Sequence, residues 1–188
     1  MTFAYSIEMK ESEILSVEDF LKKYVDVEKF LGYCRECPNY NTGWGCPPYD
    51  FDPLDYWKEY RALKVIGKKL IFDEKDVGSV LDKEEWLAFY KEAMSKERDA
   101  LHRLLKKEEK QNEGSVLLHT GGGCPVCKGG CNREEGSCRH PENLRYSIES
   151  LGGNVAAVTT DILGFELCWI EEGKLPAYLC LVGGMLYR

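Results

Sequence analysis

Four cysteines crowd into fifteen residues, Cys124, Cys127, Cys131 and Cys138, in the spacing C-x2-C-x3-C-x6-C. Gly121, Gly122, Gly123, Gly129 and Gly130 surround them. Cysteine is among the most buried residue types, yet a short hydrophilic loop has no core in which to hide four thiols. The segment is therefore expected to fold around something that thiolates bind. Glycine lets the backbone curl tightly and brings its N–H groups towards the sulfurs, offsetting the charge that four thiolates concentrate.

Thiolates are soft anionic ligands suited to zinc or to iron–sulfur clusters, and four complete either site. Structural zinc sites usually use two C-x2-C knuckles held well apart. Here there is one knuckle, and the last two ligands follow in quick succession. A loop that wraps its ligand suits the bulk of a 4Fe–4S cubane better than a single ion. Cys-Pro also occurs at Cys37-Pro38, Cys46-Pro47 and Cys124-Pro125, and a proline follows one bacterial ferredoxin ligand too. Iron–sulfur is the favoured reading, with zinc as the alternative and a redox thiol set as the remainder.

A second group, Cys34, Cys37 and Cys46, has the spacing C-x2-C-x8-C in a loop that also holds Tyr33, Tyr40, Trp44 and Tyr49. Three thiolates leave one coordination position open. Cys168, Cys180, a histidine or an exogenous molecule could fill it. An exposed metal vertex is where substrate chemistry occurs in catalytic sites with three protein ligands. The competing reading is a zinc-stabilised or proline-stiffened loop whose aromatics pack as ordinary core.

Several pieces keep a characteristic order: Cys34-Arg35-Glu36-Cys37-Pro38, Trp44-Gly45-Cys46-Pro47-Pro48, Cys124-Pro125-Val126-Cys127 with Cys131, and Cys138-Arg139-His140-Pro141. Arg145-Tyr146-Ser147-Ile148-Glu149-Ser150 and Gly152-Gly153-Asn154-Val155 follow. In this the chain resembles the DUF2284 family of predicted metal-binding proteins, found largely in anaerobic bacteria and archaea, from about residue 30 onward. The resemblance implies cysteine-bound metal, iron–sulfur in kind, with no assigned reaction. All seven motif cysteines map onto the family pattern; Cys168 and Cys180 do not and are read as core residues.

The rest of the chain reads as a single α+β domain over 1–188, a small mixed sheet covered by helices, with cysteine-rich loops at about 32–53 and 121–141. Residues 17–24 form an amphipathic helix with Ser16 as N-cap. Residues 63–72 form a strand. A long helix spans 83–111, with Trp86, Tyr90, Ala93, Met94, Leu101, Leu104 and Leu105 on one face. Residues 116–119 form a short strand leading into the glycine run, and 142–151 and 155–163 form helices. Residues 165–170 and 177–182 are expected to pair as a hairpin, with helices on one side of the sheet.

Lys and Arg number 25 against 32 Asp and Glu, a net charge of −7, and no basic tract stands out. A nucleic-acid partner is therefore not expected. The start of the chain lacks the pattern of a signal peptide, and the apolar stretch 175–187 is too short for a membrane span. No membrane partner and a cytoplasmic location are expected, where nine cysteines would not persist as structural disulfides. Arg139, His140 and Arg145 flank the last ligand as cations that would raise a cluster's potential. His119 and His102 are weaker candidates, with His102 read as structural. Ser147 and Glu149 read as helix cap and surface. The leading expectation is electron transfer through one or two 4Fe–4S clusters, with a redox protein or a small molecule as partner. The alternatives are a reductase or small-molecule-activating enzyme with an open vertex at Cys34, Cys37 and Cys46, and a zinc-stabilised interaction or metal-handling protein.

Overall fold

The computed structural model describes residues 3–127, 129–168 and 173–188. In chain order its elements are β1 (Tyr5–Glu11), β2 (Leu15–Ser16), α1 (Val17–Tyr24), α2 (Val27–Arg35), α3 (Pro53–Lys58), β3 (Ala62–Phe72), α4 (Lys83–Gln111), β4 (Val116–Leu118), α5 (Val155–Ala157) and β5 (Tyr178–Tyr187). The strands join in the order β1-β3-β5-β4, with β2 also on β3. The α+β class is as the sequence predicts. Every ladder between these strands is antiparallel, so the sheet is not the mixed one expected; only the isolated bridge of His119 with Ser147, outside these strands, is parallel among the described bridges.

Local chemistry explains the helix starts. Ser16 accepts the Asp19 N–H at the start of α1, Asp26 the Lys29 N–H of α2, and Asp82 the Glu85 N–H of α4. Each occupies a donor that the first helical turn leaves free. Pro53 opens α3, where its missing N–H costs nothing.

Period-two alternation divides β3 and β5 between two cores. Ile66, Leu70 and Phe72, with Leu179, Leu181 and Met185, meet Phe89, Ala93, Met94, Leu101 and Leu105 of α4. Leu63, Val65, Val182 and Leu186 point to the other face, against Phe20 of α1, Trp57 of α3, and Ile148, Leu151, Val158 and Phe165. Trp57 is fully buried, and its indole N–H donates to the Leu151 carbonyl at 3.1 Å. Helices and turns therefore cover both faces of the sheet, not the one face expected. Lys64 and Lys68 share the α4 face and would be costly there unpaired; they meet Glu108 at 2.6 Å and Glu97.

Other departures have physical causes. The expected hairpin does not form: β5 pairs with β3 and β4, and residues 165–168 are not a strand. Residues 169–170 of that expectation lie outside the described ones. The segment 142–151 holds two short 3-10 turns, Pro141–Asn143 and Glu149–Leu151, and α5 passes into a π-helical turn over Val158–Ile162. Leu104 is 41% exposed and Phe89 takes its expected place in the core. Among the described residues, no helix is long and apolar enough to cross a membrane.

Candidate metal centre

Cys34 lies in the last turn of α2 rather than in a loop, and a turn of chain carries on to Cys37 through the Cys37 N–H to Cys34 carbonyl bond at 3.1 Å. Gly152 sets where that helix starts. It holds φ +84°, and a Cβ there would come 2.7 Å from the Val27 Cα. A side chain at residue 152 would thus push α2, and Cys34 with it, off the body of the protein.

Cys34, Cys37 and Cys46 line one cavity of about 230 Å³ together with His119, Gly121, Glu149 and neighbouring residues. The first cysteine group is therefore brought together, facing a space several times the volume of a water molecule in the liquid. Burial pushes the Cys46 thiol up to about 11, and the charges of Cys37 and Cys34 push the same way. Cys34 is raised by burial and then by Cys37 and Glu149.

The second group gathers beside it. Gly122, Gly123, Gly129 and Gly130 hold φ between +94° and +137°, which lets the backbone double back between ligands. Cys124 is raised by burial and by the charges of Cys127, Cys131 and Cys138, so all four thiols share one electrostatic neighbourhood. The two loops touch. The Trp44 N–H of the first points at the Cys131 sulfur of the second at 3.4 Å. A Cβ on Gly45 would stand 3.0 Å from the Cys124 Cβ. The N–H that reaches this sulfur thus comes from the other loop and from a tryptophan, not from the glycines expected to supply it.

Arg133 fastens this junction. It leaves the second loop between Cys131 and Cys138 and donates to the carbonyls of Gly43 (2.9 Å), Cys46 and Pro48. Its guanidinium lies 5.0 Å from the Trp44 ring centre. It is also the cation that counters the upward push on Cys46. Beneath the first loop, Tyr49 stacks on Phe51 at 4.8 Å and meets Tyr146 edge-on at 5.0 Å. Tyr33, by contrast, is 61% exposed and belongs to no core.

His119 is the histidine of the cavity. Burial holds it down to about 4, so the ring is neutral. Its Nδ1 lies 2.6 Å from the Thr120 carbonyl, which accepts and therefore fixes the proton on Nδ1. Nε2 is left with a lone pair and no partner. The Arg145 carbonyl nearby is itself an acceptor and offers that lone pair nothing. This is how a metal-binding imidazole is usually oriented, with its other nitrogen on a backbone carbonyl.

Other residues fall out differently from the sequence reading. Arg145 turns its guanidinium to Glu109 of α4 at 2.6 Å. Arg139 donates to the Gly130 carbonyl at 2.5 Å, and exposed His140 lines a cavity with Cys127 and Arg139. Ser147 and Ser150 exchange bonds, Ser147 accepting the Ser150 N–H at 3.2 Å and Ser150 that of Ser147 at 3.0 Å, while the N-cap of the short turn is Ile148, which has no side-chain cap. Glu149 is no surface residue. Its Oε2 is buried without a partner, and burial raises its carboxyl above the usual range. Cys168 and Cys180 are half-buried, and Cys180 packs against the core that holds Phe20 and Trp57. Arg133 and Glu109 carry no mark of a site residue by type or spacing, and Glu149 reads in the sequence as helix surface. The signals available are the position of Arg133 inside the cysteine loop and that of Glu149 within the segment 145–150.

Glu109 carries much of the second loop's anchorage. Burial alone would raise its carboxyl, but hydrogen bonds from Arg145, Lys106 and the Leu117 N–H outweigh this and hold it below the usual range. Glu109→Gln is expected to cost about 3 kcal/mol at neutral pH, because it strands two cations in a site where the carboxylate is 7% exposed. A depressed carboxylate stabilises fully above its unfolded pKa and loses that contribution as pH falls through its lower folded value. The gap between parent and variant, read from denaturant unfolding, should therefore shrink as pH drops below about 4. A gap unchanged by acid would contradict this role.

Among the described residues, no three His, Cys, Asp or Glu side chains stand close enough to hold one metal ion between them. The donor chemistry still fits a soft metal held over a wider span. Three thiols share one cavity, four lie in the second loop, and a buried imidazole nitrogen is left without a partner. No curated protein and no solved structure matches the chain. One family model does, over residues 21–186, and with it the ordered cysteine motifs place the chain in the DUF2284 family of predicted metal-binding proteins.

Proposed function

We propose that this protein holds iron–sulfur clusters on its two cysteine groups and delivers electrons to a small molecule at the first of them. The observation that carries this reading is the cavity shared by Cys34, Cys37, Cys46, His119 and Glu149, against which the four-cysteine loop is packed. Its volume of about 230 Å³ is more than one ion needs. Iron–sulfur clusters, when bound, supply one-electron transfer. The protein's own contribution is to keep the two groups in contact through Arg133 and Trp44. Burial limits water around Cys46 and Cys124, and Glu149, its carboxyl raised by burial, lies at the cavity wall. A buried acid beside a reduction site can hand over a proton where charge builds up.

A second reading has its own support. If the free Nε2 of His119 closes the fourth position, the first group becomes a plain electron carrier. Protein purified without oxygen should be brown and contain iron and acid-labile sulfide, with absorption bleached by a strong reductant. Colourless protein with stoichiometric zinc, from cells supplied with iron, would overturn both readings. Cyanide added to the brown protein separates them: a changed spectrum supports the open site, and an unchanged one supports ligation by His119.

A further inference from the structure

Behind the cysteine cavity lies another of about 380 Å³, and the two share Gly121, Gly122 and Glu149 as a common wall. The two glycines make room for the polar groups at that wall. A Cβ on Gly122 would come 2.5 Å from the Arg98 Nη2, and one on Gly121 would come 2.9 Å from the Glu149 Oε1. Three buried polar atoms at this second cavity lack a partner: Arg98 Nε, Thr120 Oγ1 and Glu149 Oε2. Thr120 is 3% exposed. Arg98 makes no ion pair with Glu149, although the two feel each other's charge. Met94, Val155 and Leu181 supply apolar walls.

We propose that this second cavity binds a small organic carboxylate, with its anionic head on the Arg98 guanidinium and the Thr120 hydroxyl and its hydrocarbon body against Met94, Val155 and Leu181. A guanidinium fork matches a carboxylate in two parallel hydrogen bonds. A guanidinium whose Nε is buried without a partner is costly, and an anionic ligand removes that cost. Water could satisfy these atoms singly, but apolar walls offer each water few further partners. A phosphate would bring more charge and more acceptors than one arginine and one hydroxyl can meet. Because the cavity backs onto the three cysteines, the carboxylate is the substrate class of the proposed redox site. In that role it rests on the reading above, whereas the binding itself does not.

The test is calorimetric titration of the full-length protein, purified without oxygen, with butyrate, phenylacetate, neutral phenylacetamide and inorganic phosphate. At least one of the two carboxylates should bind saturably, with phenylacetamide and phosphate far weaker. Arg98→Gln should weaken binding at least about tenfold, the worth of one charge-assisted hydrogen bond. Ala156→Phe, which fills the cavity from a partly exposed position and removes no polar group, should do the same. The proposal is overturned if neither carboxylate binds, if phosphate binds as tightly, or if either folded variant binds like the parent. Iron measured on the same samples keeps the two ideas apart. Iron-free protein that binds phenylacetate retains this site and removes the cluster reading, while iron-loaded protein that binds neither carboxylate does the reverse.

Discussion

Replacing Cys34 by alanine is expected to remove about half of the iron from protein purified without oxygen, on the basis of one four-iron cluster per cysteine group. Cys34 is one of three thiols facing the first cavity, held there by the last turn of α2, and a cluster on this group needs all three. Cys138→Ala should remove the other half, since Cys124, Cys127, Cys131 and Cys138 gather in the second loop. In the Cys34 variant, cyanide should no longer alter the spectrum that remains. Iron and sulfide analysis with absorption spectra checks each outcome. A full iron complement in Cys34→Ala, with the parent's response to cyanide, would reassign the first group to structure.

Arg133→Met should loosen the first group without removing a ligand. Its guanidinium fork holds the carbonyls of Gly43, Cys46 and Pro48 in place around Cys46 while stacking on Trp44. Hydrogen bonds to a charged group are worth about 2 kcal/mol each. Losing the equivalent of one corresponds to a change of roughly 30-fold in a rate or an equilibrium. Iron should therefore leave the first site for a chelator at least about ten times faster, with the discount that a half-exposed arginine requires. Lysine at 133 should rescue little, because a single ammonium cannot reach three carbonyls in a fork. Release from Arg133→Met at the parent's rate would show that the loop holds its shape without this contact.

The elements that could be read from the sequence are those whose signals are local. Helix α1 carries its cap at Ser16, and α4 carries Asp82 at one end and an apolar period along 29 residues. Helix α2 could not be read, because none of its residues is buried and Gly32 interrupts it. Strand β1 alternates charged and apolar residues at a half-exposed sheet edge, where Ile7 and Met9 remain 42% exposed. The hairpin failed because β5 finds its partners far away in sequence, and pairing at a distance leaves no mark in a local pattern. The same distinction holds at the site. Seven cysteines announce themselves by spacing alone. The roles of Arg133, Glu109 and Glu149 depend on which distant atoms surround each charge, such as Arg133 beneath carbonyls some 90 residues earlier.

The position of β5 bears on how the protein is made. The last of these strands to emerge during synthesis sits between β3 and β4 in the finished sheet, with ten paired positions against β3 alone. Before residues 178–187 appear, β3 and β4 have no hydrogen-bonded route to each other, and the glycine run after β4 has no fixed base. Contacts this distant in sequence form slowly, and the unpaired edge of β3 is exposed until they do. The cysteine groups therefore meet only after the chain has left the ribosome as far as β5. Metal delivered earlier would find two separate sets of thiols, and expression conditions that slow the last step should favour aggregation over loading.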